Sequence, residues 1–185
     1  MQKILNLLKN TQIMICATVI LLLTVALCIL FSVSPKNNFN IVQNELTQLS
    51  DSIRTYYKTK PDYWGLNNET IIKNNIVSKE LVKNKKIVSN IGREFIVGQN
   101  ENGDMVMPSQ RHFMITLSNL SKNASKKLAT FVWQEENHLA LQKIILRDGT
   151  NTTEFEWGNI NSLPIKTEIA NKLCSNKNSI SWIFE

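Results

Sequence analysis

The chain has 185 residues and a formal net charge of +6, from 21 Lys and Arg against 15 Asp and Glu. This positive surplus is small and dispersed, which argues against a dedicated nucleic-acid footprint. Without its apolar N-terminal segment the chain keeps about 150 residues, enough for one globular domain with its own core. Of the three cysteines, Cys16 and Cys28 lie in the apolar segment, so Cys174 has no partner for a disulfide within that domain.

Residues 13–33 form an uncharged run of 21 apolar or hydroxyl-bearing residues without Gly or Pro. A helix rises about 1.5 Å per residue, so this run matches the hydrocarbon core of a bilayer. It is longer than a signal-peptide core and lacks a small-residue cleavage site, which favours a retained transmembrane helix over residues 13–34. Lys3 and Lys9 precede it, so the positive-inside rule predicts that residues 1–12 are cytoplasmic and the domain that follows is outside.

Beyond Pro35, apolar residues recur at spacings of four and three, which is the period of one helical face. The pattern predicts an amphipathic continuation over residues 35–58, kinked near Pro35. The stripe consists of Val42, Leu46, Leu49, Ile53 and Tyr56. Its simplest interpretation is packing against the chain's own core. The alternative is that the stripe, together with Thr18 and Thr24 of the membrane helix, contacts other subunits.

Residues 59–185 are predicted to form a head domain that contains several short helices. Asn67 or Asn68 is expected to cap a helix through Ile72, and Ser78 to begin another helical turn. A longer helix is predicted from Ser121 or Asn123 to about Glu135, with Leu128, Phe131 and Val132 facing inward. A short helix is predicted to begin at Pro164.

Strands are predicted from about residue 87 onward, at residues 95–97, 105–107, 112–117, 139–146 and 179–185. Asn102-Gly103 is a hairpin-turn signal between the first two. In the last strand Ile180, Trp182 and Phe184 alternate with smaller residues, which predicts pairing inside a sheet.

The sequence does not indicate an enzyme. Neither His112 nor His138 has a carboxylate or nucleophile at a recognisable spacing, and adjacent Glu135 and Glu136 point to different helix faces. Cys174 has no CxxC partner, and phosphate-binding glycine loops and a nucleophile elbow are lacking. We expect no catalytic residue, metal or cofactor, a free thiol at Cys174, and a solvated lysine run over residues 79–86 that does not bind nucleic acid.

The order of elements resembles that of type IV pilins, and residues 43–97 are similar to the type IVb pilins of the thin conjugative pilus family. Residues 43–57 (QNELTQLSDSIRTYY) resemble the helix that enters the head domain. Residues 62–67 (DYWGLN) resemble the family's Y-x-G-L-N turn. Residues 75–81 (NIVSKEL) and 87–92 (IVSNIG) resemble the helix start and the stretch that follow it.

This resemblance implies an α+β fold in which a long transmembrane and amphipathic helix packs on a periplasmic antiparallel sheet. It implies a pilin-like structural subunit, a minor or pseudo-pilin, of a bacterial type IV pilus or a related secretion or conjugation apparatus. The expected location is the inner membrane or a pilus, and the expected partners are other subunits and the lipid bilayer. The alternatives are a static single-pass scaffold or assembly factor and, less favoured, an adhesin or DNA-uptake pilin.

Three positions depart from the pattern of the family that the chain resembles. The family carries a Gly before the apolar helix, where this chain has Gln12-Ile13, and a Glu in its first turns, where this chain has Thr18. The family's head-domain disulfide would join the positions of Ser125 and Cys174. A membrane helix without the Glu has no charge to draw it into a filament, so the resemblance implies the fold more firmly than polymerisation.

Overall fold

The computed structural model describes residues 36–98, 112–132, 140–149 and 151–185. Several predictions lie outside these residues: the membrane helix over residues 13–34 with Thr18 and Thr24, the strand over 105–107 with its Asn102-Gly103 turn, and the positions of Glu135, Glu136 and His138.

The first described element is helix α1 (Lys36–Tyr57), which matches the predicted amphipathic helix to within one residue at each end. Its length of 22 residues corresponds to about 33 Å. The four aliphatic residues of the predicted stripe are at most 1% exposed and belong to one cluster with residues of the sheet. The period of three and four therefore reflects burial against the chain's own core.

A short helix, α2 (Asn68–Lys73), follows α1 after a turn. The Asp62 carboxylate accepts the Trp64 N–H at 2.9 Å within that turn. The predicted cap is confirmed, since Asn67 Oδ1 accepts the Thr70 N–H at 2.8 Å.

The chain then forms a 3-10 turn (Lys79–Leu81) after Ser78 and a small hairpin of β1 (Val82–Lys83) and β2 (Lys86–Ile87). The hairpin was not predicted. Its two turn residues, Asn84 and Lys85, have φ angles of 50° and 62°. Positive φ at both central residues is the requirement of a type I′ turn, which the sequence meets here without a glycine.

The main sheet has five antiparallel strands in the order β3-β4-β7-β5-β6. The strands are β3 (Phe95–Val97), β4 (Phe113–Leu120), β5 (Leu141–Asp148), β6 (Asn151–Glu156) and β7 (Asn178–Phe184). The C-terminal strand β7 lies in the centre, where Trp182 pairs with Ile115 on one side and Ile144 on the other. The prediction that this strand pairs inside the sheet is confirmed.

Two further helices flank the sheet. Helix α3 (Lys122–Ala129) begins after Ser121 as predicted, but its predicted end near Glu135 is wrong. Thr130 already caps it, and Val132 is 66% exposed rather than facing inward. The residues after Ala129 are β-branched or aromatic and are weaker helix formers than those within α3.

Helix α4 (Thr167–Leu173) begins three residues after Pro164, so the prediction that Pro164 starts it is wrong. The Leu163–Pro164 peptide bond is cis, and Lys166 is the N-cap residue. Strand β6 was missed altogether, because Phe155 is its one buried residue and the others are polar.

The β3 edge of the sheet is closed by the side chain of Asn68. Its Nδ2 donates to the Phe95 carbonyl at 2.7 Å, and its Oδ1 accepts the Val97 N–H at 2.9 Å. The amide thus takes the place of a neighbouring strand. At the end of β3 a Cβ on Gly98 would lie 2.2 Å from the Leu66 carbonyl oxygen, so glycine is required for this close approach.

Candidate functional site

Helix α1 is the predicted subunit-contact element, and its two faces have different surroundings. Val42, Leu46, Leu49 and Ile53 are buried in the chain's own core, as the simplest interpretation of the stripe expected. Tyr56 is partly buried, and the Lys60 ammonium lies 3.9 Å from its ring centroid. Contact of these residues with other subunits stays a prediction.

The opposite face of α1 lies along an open groove of about 620 Å³. Its walls are α1 and the turn that follows α2, and they carry mainly amide and hydroxyl side chains. The α1 wall is formed by Asn44, Thr47, Gln48, Asp51, Ser52, Thr55 and Tyr56, and the other wall by Asn74, Asn75 and Ile76. Tyr56 belongs to the predicted apolar stripe, whereas the other α1 positions of this wall lie outside that stripe. The sequence gave no signal for the second wall.

An aromatic cluster fixes the C-terminal end of α1 to one end of the sheet. Ring centroids lie 5.2 Å apart for Tyr57 and Tyr63, 4.8 Å for Tyr63 and Phe113, and 5.4 Å for Phe113 and Phe184. Phe113 starts β4 and Phe184 ends β7. Burial raises the pKa of Tyr57 and of Tyr63 above the ordinary tyrosine value, so both phenols stay neutral and pack as apolar groups.

The N-terminal half of α1 is held by two other contacts. The Lys127 ammonium of α3 lies 4.8 Å from the Phe39 ring centroid. The Asn90 N–H donates to Glu45 Oε2 at 2.9 Å. Burial raises the pKa of Glu45 above the usual glutamate value, while the bond from Asn90 and the nearby charge of Lys83 oppose that shift.

Ser125 and Cys174, the positions that the resemblance matched to a disulfide, are both buried, and Cys174 is a free thiol. Ser125 Oγ instead accepts a hydrogen bond from Asn178 Nδ2 at 2.8 Å. Asn178 also binds the backbone of Ser175 in both directions, and the Ser175 hydroxyl donates to Asp148. This network joins α3, β7 and β5 without a covalent link.

The described residues offer no arrangement for metal chemistry, since among them no three His, Cys, Asp or Glu side chains come together. None of the described helices is long and apolar enough to cross a membrane.

The fold is similar to those of solved type IV pilins. The crystal structure of TcpA, a type IV pilin from the Vibrio cholerae El Tor biotype, matches with a TM-score of 0.52 and 14% identity, over 80% of this chain and 99% of that one. A type IVb pilin from Salmonella typhi matches with a TM-score of 0.49 and 13% identity, over 77% and 99%. A search of curated proteins gives no significant match.

An N-terminal helix packed on an antiparallel sheet, together with the match to TcpA, defines an α+β protein of the type IV pilin fold. Residues 31–154, more than half of the chain, match the family model described as Bundlin. The chain belongs to the Bundlin family.

Proposed function

We propose that this chain is a membrane-anchored, non-enzymatic structural subunit of a type IV pilus or a related secretion or conjugation apparatus. It would be a minor or pseudo-pilin with its N-terminus in the cytoplasm and its head domain in the periplasm. The observation that carries the proposal is the match of residues 31–154 to the Bundlin family. The apolar run over residues 13–33, whose last three residues fall within that match, supports the anchor.

The proposal assigns subunit contacts to the accessible face of α1. The aliphatic stripe is already buried within the chain, so a neighbouring copy would meet Gln48, Asp51 and the rest of the groove. Amide and hydroxyl groups form hydrogen bonds with good geometry at protein interfaces, and such contacts suit an assembly that must also come apart.

N-terminal sequencing of the native protein, combined with membrane fractionation, tests the anchor and the processing. A minor or pseudo-pilin of the proposed kind keeps residues 1–12 and stays in the membrane fraction after carbonate extraction. A mature chain that begins near Ile13 and is recovered in sheared filaments would instead identify a processed major subunit.

The static scaffold remains a competing function, and it predicts a different partner. A scaffold would hold one foreign protein at fixed stoichiometry, whereas a filament subunit meets copies of itself or of similar pilins along an open, head-to-tail series. Crosslinking from the α1 groove separates the two, because ladders of like copies favour the subunit and a single foreign adduct favours the scaffold.

A further inference from the structure

The end of the head domain around the start of α1 carries an accumulation of lysines. Lys127 lies against Phe39, the fourth residue of α1, so helix α3 is beside the first turn of that helix. Lys122 and Lys126 belong to the same eight-residue helix. The Lys177 N–H donates to the Leu120 carbonyl at 3.1 Å, which places Lys177 next to the start of α3.

These four lysines, the basic end, have little acidic compensation. Residues 112–132 include no Asp or Glu, and the same is true of residues 1–44. The salt bridges among the described residues involve none of the four. Asp148 lies in the same region, since its charge and those of Lys126 and Lys122 all influence the pKa of the buried Cys174 thiol. The Asp148 carboxylate also accepts a hydrogen bond from the Ser175 hydroxyl.

The opposite end of the head domain is balanced in charge. A cleft at the C-terminal end of α1 is lined by Arg54, Lys58 and Lys60, but also by Asp62 and Glu185. Arg54 in addition pairs with Asp51 at 3.8 Å. Helix α3, by contrast, carries three lysines and no acidic residue.

Few residues lie between the apolar run and the first turn of α1. Phe39 follows Val33, the last residue of the run, by six positions. Even a fully extended chain keeps Phe39 within about 20 Å of the end of the run, and a continuous helix keeps it within about 9 Å. The second distance is comparable to the Debye length of about 8–10 Å, within which lysines are attracted to anionic headgroups. Ile41, which is 38% exposed, adds an apolar side chain of the kind that enters the headgroup region.

We propose that the basic end, Lys122, Lys126, Lys127 and Lys177, binds the anionic headgroups of the bilayer in which the chain is anchored. This inference rests on the proposed membrane anchor. Binding would hold the head domain against the membrane and set the direction in which α1 leaves it. Extraction of the subunit would then require these contacts to break, and anionic lipid would favour the membrane-resident state.

Lysine footprinting of the full chain tests this proposal without any variant. The protein is placed in vesicles of phosphatidylcholine alone or of phosphatidylcholine mixed with phosphatidylglycerol, and a membrane-impermeant reagent acetylates exposed lysines. We expect the acetylation rates of the four lysines to fall about threefold or more in the anionic vesicles, and to recover at high salt. Lys58 and Lys60, at the balanced end, serve as internal controls whose rates should not change.

Three other results would overturn the proposal in distinguishable ways. Equal rates in both vesicles, with the chain resistant to carbonate extraction, refute lipid binding and leave the anchor standing. A chain that carbonate extracts refutes the anchor and this inference together. If a DNA duplex lowers the acetylation rates of the four lysines and phosphatidylglycerol does not, the basic end binds nucleic acid instead of lipid.

Discussion

Replacing Asn68 by Ala should destabilise the head domain by about 2–3 kcal/mol. The substitution removes two hydrogen bonds, of 2.7 and 2.9 Å, that the side-chain amide makes with the backbone of β3. Phe95 and Val97 are at most 1% exposed, so their freed carbonyl and N–H groups regain little water. A lost hydrogen bond costs about 0.5–1.5 kcal/mol and an orphaned buried group about 1–3 kcal/mol.

The assay is urea unfolding of the full chain in detergent micelles, followed by tryptophan fluorescence. Asn74→Ala is the matched control, because Asn74 is exposed and its amide makes one bond, to the Thr70 carbonyl. That variant should change the free energy of unfolding by about 0.5 kcal/mol or less. Equal effects of the two substitutions would refute the conclusion that Asn68 closes the β3 edge.

Asn68→Asp gives a second test with a dependence on pH. A carboxylate still accepts the Val97 N–H but cannot donate to the Phe95 carbonyl, whereas the protonated acid does both. The variant should therefore approach wild-type stability as the pH falls through the carboxyl pKa, and lose stability above it. A loss that does not vary with pH would contradict this account of the two bonds.

Three further predictions follow from the burial of individual side chains. Leu49→Ala should lower the free energy of unfolding in urea by about 2–5 kcal/mol, because Leu49 is buried in the core. The control Gln48→Ala, at an exposed position, should change it by about 0.5 kcal/mol or less. Small effects of both substitutions would show that the stripe is not part of the core. Because burial raises the folded-state pKa of Glu45, ionisation of the Glu45 carboxyl opposes folding. The free energy of unfolding of Glu45→Gln, relative to that of the wild type, should therefore rise as the pH increases from about 4 to 7. A difference that stays constant or falls over this range would contradict the prediction. The Cys174 thiol is 2% exposed and burial raises its pKa, so a maleimide should label it in urea but not in the folded chain, and rapid native labelling would contradict its burial.

Local patterns in the sequence were sufficient to predict several elements. The aliphatic stripe of α1 has a single period, and its burial follows from that period. The caps at Asn67 and Ser121 rest on hydrogen bonds to backbone groups three residues away. Strand β7 alternates large apolar and small residues, and its central position follows from the need to bury both of its edges.

The features that escaped prediction depend on partners distant in sequence or on polar positions. Asn68 closes an edge 27 to 29 residues further along the chain, and its sequence context suggested a helix cap. Strand β6 is polar because it lies at the edge of the sheet, so it lacks the apolar alternation of a central strand. The Asn84-Lys85 turn adopts a glycine-like geometry with a lysine at its second position.

The candidate site was predictable in part. The sequence identified α1 as the element of interest and separated its faces. It could not show that the second wall of the groove comes from the turn after α2, because that contact is made in three dimensions. Similarly, the accumulation of lysines beside α1 arises from residues more than 80 positions apart, Phe39 and Lys127 among them.

The central claim is that the chain is a membrane-anchored pilin-like subunit that contacts other copies through α1. Thiol crosslinking from position 48 in native membranes tests this claim most directly. The variant Gln48→Cys is made in a background with Ala at positions 16 and 28, and the same background with Gln48 retained is the control. The account predicts a ladder of multimers that contain this chain, absent from the control. A single adduct with one unrelated protein, or no adduct from a membrane-retained chain, would contradict it.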